Sequence, residues 1–253
     1  MTRKRIIILA AVIGAVVIAV TAGAVWYMTR LSPNAVLMYH CIDEVPQIVY
    51  DVGGNVDLYV TPSEFEAQLK QLDKMGYTTG FASDCGKANT AILTFDDGYA
   101  DFYRNAYPLL KKYNAKATVF LIVSLIGKDG YLSEEMIREM ADSGLVEFHS
   151  HTVLHTKLDT ISGELLSWEL AESKRRIEAI TGCEVYAICY PNGAYNDEVL
   201  EIAAKFYTHG FTTIAPKRYD SENPLAIRRM GVGNGCDEEE FRGLVTSEAV
   251  NNE

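Results

Sequence analysis

An α/β fold, a distorted (β/α) barrel of about seven strands preceded by one N-terminal transmembrane helix, is what this 253-residue sequence predicts. Three observations carry the expectation. Short apolar runs alternate with amphipathic stretches from Ala91 onward, the pattern of parallel strands joined by right-handed crossovers. The runs are continuous in apolar character, as strands buried on both faces are. Three polar clusters each follow such a run directly, at the strand ends where barrels and open parallel sheets bind ligands. An open doubly wound sheet fits the same spacing and is the alternative architecture.

Taken in order, the first element is the stretch from Ile6 to Thr29, which holds no charged residue and follows Arg3, Lys4 and Arg5. It is long enough to cross a hydrocarbon core of about 30 Å as a helix. The basic cluster keeps its own end cytoplasmic, so the body is expected outside, with Trp26 and Tyr27 at the far interface. A cleaved signal peptide ending near Ala22-Gly23-Ala24, followed by secretion, is the competing expectation. Apolar regions of signal peptides run about 7–15 residues, shorter than this one, which favours the uncleaved anchor. The expected organisation is residues 1–30 as cytoplasmic stub and anchor, and residues 31–253 as an extracytoplasmic catalytic domain at the cell membrane.

Ala35–Tyr39 reads as the first strand and residues 41–60 as a long surface loop. Thr61, Pro62 and Glu64 make a helix start, with a capping threonine, proline in the first turn and glutamate three residues on. Phe65, Leu69, Leu72 and Met75 continue it at helical spacing until Gly76. Beyond this, strands are expected at 91–95, 117–123, 145–148, 186–190 and 211–214. Helices are expected at 102–113, 133–141, 161–180 and 197–207.

Charge narrows the class of partner. Four basic and no acidic residues fall in the first 30, so residues 31–253 carry −15 against −11 for the whole chain. Such a domain repels phosphate backbones, which argues against nucleic acid as a partner. Neutral or cationic polymers suit it better. Five cysteines without metal-finger spacing suggest no cysteine site, and an odd count leaves at least one unpaired. Cys189 sits in a predicted buried strand, where a small apolar role is expected.

The polar clusters carry the chemistry. Asp96 and Asp97, in Thr94-Phe95-Asp96-Asp97-Gly98, are adjacent and point different ways at a strand end. One carboxylate can bind a cation while its neighbour accepts a proton. An Asp-Asp-Gly turn is common, however, and alone it would mean little. His151 and His155 are four apart, and one helical turn between them would set both imidazoles on one face to share an ion. Three of the five histidines fall within residues 149–155, which favours ligands over scattered polar side chains. Two histidines plus a carboxylate form a recurring site for zinc or a related divalent metal, with positions left open for water.

The combination resembles the polysaccharide deacetylase family, also called carbohydrate esterase family four or the chitooligosaccharide deacetylase homology domain. Thr94–Gly98 is similar to its first motif, His151-Thr152-Val153-Leu154-His155 to its second, and Tyr190-Pro191-Asn192-Gly193 to a variant of its third. Val36–His40 resembles the N-terminal extension of a membrane-anchored or secreted branch, and the resemblance spans about residues 35–232. It implies that Asp97, His151 and His155 hold the metal, zinc first with cobalt or another divalent ion also accommodated, and that Asp96 is the catalytic base. It implies hydrolysis of N-acetyl groups on an external N-acetylglucosamine polymer or peptidoglycan, with Asn192 N–H helping to stabilise the oxyanion.

Three departures from the family pattern stand out. Cys189 occupies the place of an arginine that steadies the catalytic aspartate. Asn192 replaces an aromatic residue. No histidine follows His209 to serve as the usual catalytic acid, and His209 itself reads as a helix-end residue. His40, after the first strand, is the replacement acid favoured here, with His149 behind it. Arg229 resembles a late basic position of the family, though a surface arginine is the default expectation. These departures keep open a second function, a glycan-binding module that has lost turnover.

Overall fold

The structure is a computed structural model that describes residues 34–215 and 223–246. Its central sheet is parallel throughout and runs in the order β10–β1–β5–β6–β7–β8–β9. These strands are β1 (Ala35–Tyr39), β5 (Thr90–Phe95), β6 (Ala117–Leu121), β7 (Val146–Ser150), β8 (Ala187–Cys189), β9 (His209–Phe211) and β10 (Met230–Gly231). A short β4 (Thr78–Gly80) pairs with the beginning of β5. The gap between the first and last strands is bridged by residues 227–231. Ile227 exchanges backbone hydrogen bonds with Gly210 and Thr212 beside β9, and Met230 then pairs with Leu37 of β1. The result is the distorted (β/α) barrel that the alternation predicted.

Strand periodicity sorts the side chains into two cores. Ala35, Leu37, Tyr39, Ala91, Leu93, Phe95, Val119 and Phe148 pack outward beneath the helices. Val36, Ile92, Phe120, Ala187, Cys189, Phe211 and Ile227 pack together as the inner core. The period of two therefore sends Asp96, two residues beyond Thr94 and four beyond Ile92, to the inner side, and Cys189 likewise. An aromatic group of Tyr39, Phe65, Phe95 and Phe102, with ring centroids 4.7–5.7 Å apart, fixes β1 and β5 against their covering helices directly below the aspartates. Each such pair contributes about 0.5–1.5 kcal/mol beyond its buried area.

The helices are α1 (Gln47–Asp51), α2 (Pro62–Lys74), α3 (Tyr107–Tyr113), α4 (Glu134–Asp142), α5 (Gly163–Thr181), α6 (Asp197–Ala203) and α7 (Glu238–Thr246). Helix α2 begins as expected, with the Thr61 hydroxyl accepting from Glu64 N–H and the Glu64 carboxylate accepting from Thr61 N–H.

Several boundaries differ from expectation. Residues 41–60 are not one loop, since they form β2 (Cys41–Ile42), α1 and β3 (Tyr59–Val60), with β2 and β3 paired. The helix expected at 102–113 opens with a π-helical turn at Phe102–Ala106 before α3. The last expected strand moves to His209–Phe211, so His209 is a strand residue and caps no helix; its ring packs against Tyr186. All five cysteines are free. The expected transmembrane helix lies outside the described residues, and among those described no helix is long and apolar enough to cross a membrane.

Candidate metal centre

Three strand ends and one returning segment build the site. The Asp96 N–H donates to Tyr39 O, which carries the β1–β5 ladder to the end of the strand. Asp97 then turns into the left-handed region (φ 71°) and Gly98 follows at φ 79°. A Cβ on Gly98 would lie 2.7 Å from Leu121 Cδ2 besides straining that dihedral, so glycine is required for the turn. The turn separates the two carboxylates: Asp96 points into the barrel at 2% exposure, and Asp97 faces the histidines.

The histidines meet differently from the expected helical turn. Residues 151–157 are irregular, with Thr152 and His155 both at positive φ. Buried Glu169 of α5 organises this loop. Its Oε2 accepts from Val153 N–H at 2.7 Å and Leu154 N–H at 3.1 Å, and its Oε1 accepts from the Thr156 hydroxyl. The Ser150 and Thr152 hydroxyls accept from Thr152 N–H and His155 N–H. Local side-chain acceptors outcompete a helical ladder over so short a span. The outcome nevertheless brings the rings together, with centroids 4.8 Å apart.

Asp97, His151 and His155 each offer a ligand atom, all within 4.8 Å of one another. His151 Nε2 is 3.4 Å and His155 Nε2 3.6 Å from Asp97 Oδ1. His151 Nδ1 donates to the Cys189 carbonyl at 2.8 Å, which leaves Nε2 to face Asp97 and, once deprotonated, to offer its lone pair to a cation. Two electron-rich atoms held this close require a proton or a cation between them, and this donor set suits a divalent cation. Burial lowers the His151 pKa, but Cys189 and Asp97 override it and raise it well above the usual imidazole value. Burial and the neighbouring His151 lower that of His155.

Asp96 is clamped by a group that local sequence reading assigned to the surface. Arg229 is fully buried and forms a bidentate pair with Asp96, Nη1–Oδ1 2.7 Å and Nη2–Oδ2 2.6 Å. Its Nε donates to Thr212 O and its Nη1 also to the Thr94 hydroxyl. Nη2 lies 3.0 Å from Cys189 Sγ, which is 3.4 Å from Asp96 Oδ2. Cys189 is thus buried as expected, but among charged groups as well as apolar ones. Asp96, His151 and Cys189 could also group around an ion, but the guanidinium already supplies the positive charge there. Burial pushes the Asp96 pKa up, yet Arg229 overrides this and holds the carboxyl well below the usual range.

His40 stands where β1 ends, within electrostatic reach of Asp96, Asp97, Arg229 and His151. Burial lowers its pKa, so neutral imidazole is its resting form. Asn192 follows β8 in a left-handed conformation (φ 57°) with its side chain exposed. His149 does not reach the site. It is buried lower in the barrel, between Phe120 and Tyr186, with Nε2 3.3 Å from Glu147.

Sequence reasoning missed Glu169, and it noted Arg229 as resembling a late basic position of the family but left it at the surface by default. A basic residue inside Ile227-Arg228-Arg229-Met230 and an acid within a long amphipathic helix both look like surface features. Two signals pointed to Arg229: its resemblance to a late basic position of the family, and an Asp96 left without its arginine by the cysteine at position 189.

A family model described as Polysaccharide deacetylase matches residues 83–211, which hold all three polar clusters but neither His40 nor Arg229. The chain is 35% identical over 222 residues to YxkH of Bacillus subtilis (strain 168), covering 84% of this chain and 76% of that protein. It is 31% identical over 201 residues to the poly-β-1,6-N-acetyl-D-glucosamine N-deacetylase of Staphylococcus aureus (strain NCTC 8325 / PS 47), covering 71% and 69%. The crystal structure of the Streptococcus pyogenes deacetylase PplD in complex with acetate superposes with a TM-score of 0.75. Its sequence is 30% identical, and the match covers 85% of this chain and 99% of that one. With fold, motifs and relatives in agreement, this chain belongs to the polysaccharide deacetylase family.

Proposed function

We propose that the chain is a metal-dependent hydrolase that removes N-acetyl groups from an N-acetylglucosamine-containing glycan outside the cell, anchored through the apolar segment at residues 6–29. The observation that carries the reading is the convergence of Asp97, His151 and His155 within 4.8 Å beside an Asp96 held ionised by Arg229. A divalent ion on those three residues, zinc first, would polarise the amide carbonyl and acidify a water.

The chain's own groups do the rest. Asp96 takes a proton from the attacking water; Arg229 keeps it ionised and fixes its orientation through two hydrogen bonds. The Asn192 N–H, after β8, would meet the negative charge building on the amide oxygen. His40 delivers the proton to the departing amine. Neutral at rest because burial lowers its pKa, it takes up a proton from solvent as negative charge builds in front of it and passes that proton to the amine nitrogen as the C–N bond breaks.

Of the three departures behind the binding-module alternative, one is Cys189 in place of the expected arginine. A guanidinium reaches Asp96 from position 229 instead, which removes that reason. The test is acetate release by the purified full-length chain from poly-β-1,6-N-acetylglucosamine, chitooligosaccharides and peptidoglycan fragments. Turnover should stop on chelation and return with added metal. A folded, metal-loaded chain inert on all three would sink the proposal.

A further inference from the structure

The peptide carrying His40 is not held by the barrel sheet alone. Its next strand, β2, is gripped by side chains from the loop that follows the metal ligand Asp97. Asp101 Oδ1 accepts from Ile42 N–H at 3.2 Å, and Asn105 Nδ2 donates to Ile42 O at 2.7 Å. The N–H and C=O of one extended residue point the same way, so these two side chains stand in for a neighbouring strand. Both lie on the π-helical turn and its leading residue, an irregularity often found at functional sites.

The loop between Asp97 and Asp101 is itself pinned. Gly98 O accepts from Leu132 N–H, and Ala100 N–H donates to Gly130 O. The segment that continues from the metal ligand Asp97 is therefore held by residues 130–132 on one side and grips the strand after His40 with Asp101 and Asn105 on the other. Asp101 is 7% exposed, and burial pushes its pKa up to about 6 against the pull of Ile42 N–H.

We infer that Asp101 and Asn105 are positioning residues that set the distance between His40 and the metal centre, and so control proton delivery to the leaving amine. The inference rests on the deacetylase reading with His40 as acid. It predicts a dependence on leaving group that a general loss of folding would not produce. An amide nitrogen needs a proton to depart, whereas p-nitrophenolate leaves without one.

The test compares the full-length chain with Asn105→Ala, Asp101→Ala, Asp101→Asn and His40→Ala, on a chitooligosaccharide and on p-nitrophenyl acetate, with metal content measured for each. Asn105→Ala and Asp101→Ala should lower kcat on the amide by roughly 10- to 100-fold, in line with a misplacement of about 1 Å. KM for the glycan and kcat on the ester should change less than about 3-fold, well below the 10²–10⁴-fold worth of a general acid. Asp101→Asn keeps an acceptor oxygen and should retain most amide activity. Asp101→Ala added to His40→Ala should cost nothing further on the amide. Equal loss on both substrates, or no loss on the amide, overturns the inference while leaving the deacetylase reading intact. A metal-loaded parent chain with no amide turnover overturns both.

Discussion

Replacing Arg229 with methionine tests the centre of the site, because it leaves the Asp96 carboxylate buried at 2% exposure without its partner. Breaking a buried ion pair from one side costs about 3–5 kcal/mol. Cys189 Sγ at 3.4 Å and the nearby His40 and His151 offer partial compensation, which favours the lower end, about 3 kcal/mol. For a domain of this size that corresponds to a fall of about 6–12 °C in Tm. The measurement is urea or thermal unfolding of the chelated protein at several pH values.

The sign of the pH dependence follows from Asp96. Its folded pKa is depressed, so the stabilisation it contributes is present above the ordinary carboxylate value and is lost as pH falls through the folded one. Without Arg229, burial is left to raise the pKa, and the variant relieves its penalty by protonating. The gap between parent and variant should therefore be widest at neutral pH and shrink toward pH 4 and below. Adding Asp96→Asn to Arg229→Met removes the stranded charge and should recover most of the loss, a coupling read from the double-mutant cycle. A single variant that loses less than about 1 kcal/mol, the range of exposed ion pairs, would refute the reasoning. So would a double variant no more stable than the single one.

Three further outcomes follow from the same geometry. Glu169→Gln weakens the acceptor that holds Val153 and Leu154 N–H, and metal affinity should fall about 10- to 100-fold in a chelator-competition titration, as other groups orienting ligands do. Gly98→Ala forces a Cβ to 2.7 Å from Leu121 Cδ2 at φ 79°; it should cost about 1–2 kcal/mol from the dihedral alone and reduce metal occupancy measured by elemental analysis. Metal uptake near pH 7 should release close to one proton, since the raised pKa of His151 keeps it protonated until the ion displaces that proton. Calorimetry in buffers of different ionisation enthalpy measures the release, and affinity should fall as pH is lowered.

How much of this was legible in the sequence depends on how far each feature reaches. The strands bearing Asp96, His151 and Cys189 were visible as short apolar runs, and their polar ends as candidate ligands, because both signals are local. The alternation of runs sufficed for the parallel α/β class but fitted a barrel and an open sheet alike, because what bridges the gap is the distant segment 227–231. The course of the chain from His151 to His155 was not readable, because Glu169 that shapes it lies 14 residues away from His155 on α5 and looks like any acid on an amphipathic helix. Asp101 and Asn105 were hidden for a related reason. Their partner Ile42 lies in a stretch with no clear period, and only its backbone is recognised.

The replacement of an arginine by Cys189 shows why a motif read locally can mislead. What Asp96 requires is one guanidinium in the barrel interior, and the interior is reached from every strand. Cys189 on β8 and Arg229 on the closing segment both touch the Asp96 carboxylate. A small side chain on one wall leaves room for a long one from the other, so charge and volume are kept together while the motif is lost. Cys189→Arg alone would then bury a second guanidinium against the first with a single carboxylate between them, and should abolish folding. Cys189→Arg combined with Arg229→Met restores one cation per carboxylate. Some overpacking, about 1–3 kcal/mol, is expected from the bulkier pair. If Asp96 responds to the charge and not to the strand that delivers it, the combined variant should still unfold at higher urea than Arg229→Met at neutral pH, and this advantage should fade as Asp96 protonates. An advantage unchanged down to pH 4, or none at neutral pH, would mean that Arg229 acts through packing of the closing segment and not through its charge.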